Sequence, residues 1–195
     1  GTPGNIRVVL NEAQRVAAIR ISNVTGPGDG TSILIEMDSN AITDLSLNRN
    51  IQRYGIVCSE TPDSTPPSLS DSASIDYATG TLTVRFSETV SGSSGVAGVN
   101  PALIFMSNTP GSRDFSVAGA YIPKLDLIKF SIVLSESVRA QAIGMSSTPG
   151  GDGTALFVET LENAFADLSQ NRNPSVTSVF LIESPDDIAP AVINA

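Results

Sequence analysis

Apolar and polar residues alternate along two stretches in the middle of the chain. In "TLTVRFS" (81–87), Leu82, Val84 and Phe86 alternate with polar side chains, and "DLIKFSIVL" (126–134) repeats the pattern. A period of two turns one set of side chains toward a core and the other toward solvent, which is typical of half-buried β-strands. We therefore predict a strand at each place.

Five further short apolar runs, bounded by Gly, Pro, Asn or Ser, bring the predicted strands of this region to seven. They lie at residues 72–77, 102–107, 114–122, 155–160 and 175–183. Seven strands in about 120 residues is the number expected of an immunoglobulin-like sandwich. The predicted fold class is thus all-β, with the alternate apolar residues of two sheets forming the core.

Two Ala-rich segments, "NEAQRVAAIRI" (11–21) and "SESVRAQAIGM" (135–145), break the β pattern. Asn11 and Ser135 each precede a Glu, as helix N-cap residues do, and Asn11 and Gln14 have the spacing of a capping box. We predict a short helix of about two turns in each segment. In the complete unit this helix lies between the fifth and sixth strands.

The two helical segments belong to an internal repeat. Residues 8–22 match residues 132–146 at an offset of 124, and "GDGT" at 28–31 recurs at 151–154 at an offset of 123, so that 24 of 63 compared positions are identical. Self-similarity at a fixed period indicates a repeat architecture. The chain then divides into the C-terminal part of one immunoglobulin-like unit (1–63), a complete unit (64–187) and the first strand of the next (188–195).

The first part has only three predicted strands and a helix, which are too few to be stable alone. We expect its remaining strands to come from adjacent sequence or from another subunit. The connection between units, "ETPDSTPPS" (60–68), is rich in proline and is predicted to be a short, semi-rigid linker.

Composition argues against several classes of function. The chain has 11 basic and 20 acidic residues, a net charge of -9 and no His. Phosphate binding requires clustered Lys and Arg, so neither nucleic acid nor an anionic membrane is an expected partner. No apolar run approaches the length of a membrane span. Without His the usual general base is missing, and we predict a protein that is not an enzyme and has no catalytic residues.

Cysteine usage adds little chemistry. Cys58 is the only cysteine, so no intrachain disulfide can form. It aligns with Leu181 in the other copy, which predicts a buried, unreactive thiol.

Two loops carry oxygen-bearing side chains at alternate positions, "TDLSLNRN" (43–50) and "ADLSQNRN" (166–173). Such spacing can surround Ca²⁺, but an EF-hand requires Gly where Arg49 stands and Glu where Gly55 stands. Asp and Asn are also frequent in tight turns without any ion. We favour the turn and keep structural calcium as the alternative cofactor. Its candidate ligands are Asp29, Asp44, Asn48, Asp152, Asp167 and Asn171.

One glycosylation site is predicted. Asn23 begins the sequence Asn-Val-Thr, an acceptor for N-linked glycans in secreted proteins, and it lies at the one-residue insertion between the two copies. We expect this insertion to be an exposed loop.

The linker and strand sequences resemble a known class of repeats. "TPP", "GTLTVRFSETV", "VLSESVRAQAI" and "DLSQNRN" are similar to the tandem bacterial-type Ig-like repeats of very large secreted and cell-surface proteins. Those repeats open on a D-x-T-P-P linker and finish on a "DLAGNPN"-like loop; here Ser-Leu-Asn or Ser-Gln-Asn replaces Ala-Gly-Asn. The resemblance implies an extracellular or cell-surface spacer, adhesive or filament-forming role and brings no catalytic residues.

The expected function is therefore a structural module of an extracellular filament, stalk or adhesin. It would act by end-to-end stacking and protein–protein contacts, with copies of itself or neighbouring repeats as partners. The alternative is a calcium- or glycan-binding Ig-like module of a cell-surface protein.

Overall fold

The computed structural model describes residues 5–22, 31–93, 95, 98–146, 154–174 and 178–190. The chain divides into two compact units, Gly1–Ser64 and Thr65–Ala195, here called unit 1 and unit 2. The division falls inside the proline-rich linker. Asp29, Asp152 and the predicted glycosylation site Asn23 lie outside the described residues. No helix in the described parts of the chain is long and apolar enough to cross a membrane.

Within its described residues, unit 2 contains seven strands and one α-helix, together with a short 3-10 helix. The order along the chain is β3 (Leu69–Asp76), β4 (Thr81–Val90), the 3-10 helix (Pro101–Leu103), β5 (Ile104–Ser107), β6 (Phe115–Ser116), β7 (Leu127–Val133), α2 (Glu136–Met145), β8 (Phe157–Thr160) and β9 (Val179–Ser184). The all-β fold class, the number of strands and the position of the helix between the fifth and sixth strands are confirmed.

The strands of unit 2 are joined in the order β6-β5-β8-β9-β3-β4-β7. All neighbours are antiparallel except β3 and β9, which run parallel, with Ala73 opposite Leu181. β3 pairs with β4 on its other side, and β4 pairs with β7. Residues near the beginning and the end of the unit therefore meet in the middle of the sheet.

The core of unit 2 follows the predicted alternation. Leu82, Val84 and Phe86 of β4 are buried, as are Phe130 and Ile132 of β7. The Phe86 ring meets the Phe130 ring edge-on at 5.8 Å between centroids, and it lies 4.5 Å from the Phe165 ring in a tilted arrangement. Offset and edge-to-face contacts are the favourable geometries for aromatic pairs. Phe86 thus joins β4, β7 and the loop that follows β8.

Two of the strands of unit 2 that are shorter than predicted have a local cause in the structure. The run at 114–122 contributes only Phe115–Ser116, because Gly119 has a positive φ of 81° and the amide of Ala120 turns back to the carbonyl of Val117. The run at 102–107 begins instead with the 3-10 helix, whose first turn Asn100 caps by accepting from the amide of Ala102.

Unit 1 contains α1 (Glu12–Ile21), β1 (Leu34–Met37) and β2 (Arg53–Val57). The predicted capping box of Asn11 and Gln14 is present, and both helices have ten residues, closer to three turns than to the two predicted. β1 and β2 pair with Leu34 opposite Val57, which is the register of Phe157 and Phe180 between β8 and β9. Unit 1 therefore reproduces the second half of unit 2.

The third strand predicted for unit 1 does not form. Residues 5–10 correspond to the end of β7 and the residue after it, yet they have no secondary structure. In unit 2, β7 is held by its hydrogen bonds to β4. No strand in the described part of unit 1 corresponds to β4, so residues 5–10 lack, among the described residues, the strand with which β7 pairs in unit 2.

Candidate functional site

The loop after β8 is closed by the side chain of Asp167. Its Oδ1 accepts from the amide of Asn171 at 2.8 Å, and its Oδ2 accepts from the Asn171 side-chain amide at 2.9 Å. The backbone amide of Asp167 donates back to the carbonyl of Asn171 at 3.0 Å. The two residues of this loop that are candidate ligands in the alternative calcium site thus hold the turn together by direct contact.

The loop of unit 1 is built in the same way. Asp44 accepts from the amides of Ser46 and Asn48 and from the Asn48 side chain, at 2.8–2.9 Å. These hydrogen bonds, the one from the Asn48 side chain foremost, hold the pKa of Asp44 below its ordinary value. The structure brings together Asp44 with Asn48 and Asp167 with Asn171, as components of two separate turns.

Both turns contain a residue in the left-handed region. Leu47 has a φ of 66° in unit 1 and Gln170 has a φ of 66° in unit 2. In the repeats that this sequence resembles, Gly occupies the same position, as the fourth residue of "DLAGNPN". The turn therefore forms without Gly, at the steric cost that a Cβ carries in this conformation.

Asn173 anchors the same loop to the core. Its side-chain oxygen accepts from the amide of Phe165 at 2.9 Å, and its side-chain nitrogen donates to the carbonyls of Leu161 and Pro174 at 2.9 Å. Asn50 makes the three equivalent contacts in unit 1. Because Asn173 is fully buried, these bonds replace those it would make with water.

Glu183 on β9 collects three donors inside unit 2. One carboxylate oxygen accepts from the amide of Leu156 at 3.0 Å. The other accepts from the hydroxyl of Ser146 at the end of α2 and, at 2.7 Å, from the phenol of Tyr77. Burial of Tyr77 raises the pKa of its phenol well above the usual range, so the group stays a donor. The Glu183 carboxylate thereby links β9, α2 and the end of β3.

Arg139 on α2 fixes the chain as it leaves unit 2. Its Nε and Nη2 donate to both carboxylate oxygens of Glu136, at 2.7 and 2.8 Å, and its Nη1 donates to Asp186 at 2.7 Å and to the Tyr77 carbonyl at 2.8 Å. These hydrogen bonds lower the pKa values of Glu136 and Asp186. Asp186 lies two residues beyond the end of β9. We call the group of Arg139, Glu136 and Asp186 the exit clamp.

Unit 1 has the same exit clamp. Arg15 donates to Glu12 at 2.8 and 2.9 Å and to Asp63 at 2.7 Å. The counterpart of Glu183 is Glu60, which accepts from the hydroxyl of Ser22 and from the amide of Ile33. The hydrogen bond from Ser22, followed by that from Ile33, lowers the pKa of Glu60.

The two units differ in which apolar side chains are exposed. Leu168 is 2% exposed in unit 2, whereas its counterpart Leu45 is 105% exposed in unit 1. Phe130 is fully buried, whereas its counterpart Ile6 is 66% exposed. The exposed apolar face of unit 1, here called the open face, includes Ile6, Val8, Leu10, Ile35, Ile42 and Leu45, whose counterparts in unit 2 are all buried.

Cys58 is only partly buried, which differs from the buried thiol that its alignment with Leu181 predicts. Leu181 is covered because β3 lies beside β9 in unit 2. Unit 1 has no described strand in the corresponding position.

The exit clamp and the roles of Glu60 and Glu183 are not apparent from sequence motifs. The sequence nonetheless carries a signal for these contacts, because five of the residues involved are identical in the two copies. In the first copy they are Glu12, Arg15, Ser22, Glu60 and Asp63. Ionisable residues that are identical in two otherwise diverged copies indicate a shared contact, although the partner in each contact emerges only from the fold.

No protein-family model, curated protein or solved structure was found to match this chain.

Proposed function

We propose that this protein is a structural repeat module of an extracellular filament, stalk or adhesin, which acts through end-to-end connection of units. The observation that carries the proposal is the exit clamp, built from the same three residues at the same place in both units. In each case the Arg ties the segment after the last strand to the helix of its own unit. A linker held in this way leaves its unit in a defined direction, as an array that transmits tension or sets a spacing requires.

The strand connections of unit 2 support an immunoglobulin-like assignment. In such domains strand B pairs with both A and E, and strands C, F and G lie side by side. If β3, β4 and β7 are taken as A, B and E, then β5, β8 and β9 take the places of C, F and G, and both sets of neighbours occur. The parallel pair of β3 and β9 joins the two groups.

The polar groups of the two units favour a structural role. Asp44, Glu60, Glu136 and Asp186 have lowered pKa values, and each accepts hydrogen bonds from a turn, a helix cap or an exit clamp. Perturbed carboxylates can mark catalytic sites, but structural networks lower pKa values in the same way. Here each perturbed carboxylate has a partner that explains it, and the four are at least partly exposed and spread over both units.

Antibodies raised against unit 2 would test the proposed location and assembly. On intact cells that produce the protein, immunogold labelling should mark surface fibres or stalks, and mild protease treatment of intact cells should remove the label. A protein of the cytoplasm, used as a control, should be labelled only after permeabilisation. Labelling of this protein only after permeabilisation would contradict the proposal.

A further inference from the structure

We propose that the open face of unit 1 binds the first half of a repeat, a polypeptide with the sequence pattern of residues 65–128 that contributes the counterparts of β3, β4, β5 and β6. This inference rests on the proposed function, since the partner is a repeat of the same kind.

The apolar contacts provide the first step. In unit 2 the ring of Phe86 lies against Phe130 and Phe165. Their counterparts in unit 1 are Ile6 and Ile42, and both line an open cavity of about 470 Å³ together with the Asp44 loop. The space that Phe86 fills in unit 2 thus corresponds to an open cavity in unit 1, whose lining contains Ile6 and Ile42 among polar residues. An aromatic side chain equivalent to Phe86 has the shape and chemistry to enter it.

The strand edges provide the second step. In unit 2, β8 and β9 pair with each other, and each also has a second neighbour on its outer edge. That neighbour is β5 for β8 and β3 for β9. Within the described part of unit 1, β1 and β2 pair only with each other. Exposed strand edges carry backbone donors and acceptors that an added strand can satisfy. Residues 5–10 would likewise pair with a counterpart of β4, as β7 does.

The polar contacts provide the third step. In unit 2, Glu183 accepts a hydrogen bond from the Tyr77 phenol, and Arg139 donates one to the Tyr77 carbonyl. Glu159 on β8 accepts from the amide of Gly111 in the loop between β5 and β6. The counterparts in unit 1 are Glu60, Arg15 and Glu36. Glu60 and Arg15 are held by the same neighbours within the second half of the repeat as Glu183 and Arg139 are. A segment with the pattern of residues 65–128 would bring a tyrosine and a loop amide to these three groups.

A second copy of the whole chain is a poorer occupant. Its own residues 65–128 are already paired with β7, β8 and β9 inside unit 2, and Phe86 is buried there. Donating them to another molecule would expose the core that they cover. The segment must therefore come from a repeat whose first half is not already engaged.

A fusion tests the proposal with the full chain. Residues 65–128 are placed directly before residue 5, because Ile128 precedes Lys129, the counterpart of Asn5. A dye that binds exposed apolar surface should fluoresce at least about threefold less with the fusion than with the original chain. Amide exchange at residues 5–10 and 34–37 should slow by about 100-fold or more.

Two variants of the added segment serve as matched controls. Phe86→Asp in the added segment alone should return the exchange of residues 5–10 to nearly the rate of the original chain. Tyr77→Phe in the added segment is a mild change that should keep this protection but speed exchange of the Ile33 amide, which donates to Glu60. Together they separate specific docking from a general effect of chain length.

Two results would overturn the inference. One is an exchange rate at residues 5–10 that is the same with and without the added segment. The other is dimerisation of the original chain that protects these residues in a concentration-dependent manner, which would identify a second copy as the occupant. Either result would leave the immunogold test of the proposed function unaffected, so the two failures can be told apart.

Discussion

The Nη1 atom of Arg139 lies 2.7 Å from a carboxylate oxygen of Asp186, 47 residues further along the chain. Because this contact and the one to Glu136 lower the folded-state pKa values of both acids, it stabilises unit 2 at neutral pH. The contribution is present above the ordinary values of 4.5 and 3.8 and is lost as the pH falls through the lowered values.

Arg139→Gln should therefore lower the Tm of unit 2 at about pH 7, and the difference from the original chain should shrink toward about pH 2.5. Thermal unfolding over this range measures it. Arg85→Gln is the control, because Arg85 is exposed on β4. A Tm difference between Arg139→Gln and the original chain that is the same at both ends of the range would contradict the role of the exit clamp.

Glu183→Ala should lower the free energy of unfolding of unit 2 by about 2 kcal/mol, because three donors lose their acceptor in a partly buried place. The donors are the Leu156 amide, the Ser146 hydroxyl and the Tyr77 phenol. Urea unfolding at neutral pH measures the change. Glu162→Ala, at an exposed position, should have almost no effect, and equal effects of the two substitutions would count against the assignment.

Gln170→Gly should stabilise unit 2 by about 1 kcal/mol, because it removes the Cβ at a residue with a φ of 66°. The matched control is Ser169→Gly, one position earlier, where no positive φ occurs. That change should reduce stability by about 0.5–1 kcal/mol through the greater freedom of the unfolded chain. A loss of stability in both variants would show that the turn does not carry the expected strain.

Substituting the equivalent leucines Leu45 and Leu168, each next to the Asp of its turn, should reduce stability by different amounts in the two units. Leu168→Ala should cost about 2–5 kcal/mol, because Leu168 is buried in unit 2. Leu45→Ala should change stability by no more than about 0.5 kcal/mol, because Leu45 is exposed. In the fusion that carries the added segment, the cost of Leu45→Ala should rise toward that of Leu168→Ala.

Calcium should not bind specifically to the loops of Asp44 and Asp167, because both carboxylate oxygens of each residue already accept hydrogen bonds within the turn. We expect neither binding heat in calorimetry nor a change in Tm on addition of Ca²⁺. Asp167→Asn is the comparison, because it keeps the size of the side chain but removes its charge. Saturable binding that Asp167→Asn abolishes would favour the alternative function.

The sequence predicted the local structure well, because local patterns carry local physical information. Alternation located β4 and β7, and the helix caps located both helices within one or two residues. The sequence-based prediction was less accurate for the run at 114–122, because the backbone turns at Gly119. The alternation of apolar and polar residues carries no information about a positive φ. The sequence favoured turns for the oxygen-rich loops, but the spacing of their polar residues alone did not show which donors the carboxylates accept hydrogen bonds from.

By itself, the sequence determined the repeat, its period, most of the strand and helix positions and the residues that both copies share. Only the tertiary structure decided what those shared residues contact, since Arg139 and Asp186, or Tyr77 and Glu183, are far apart in the chain. Tyr77 reaches Glu183 because β3 pairs with β9. The tertiary structure also decided that equivalent side chains such as Leu45 and Leu168 have opposite environments. Burial depends on which strands lie across the core, and that is a property of the assembled unit rather than of any one segment.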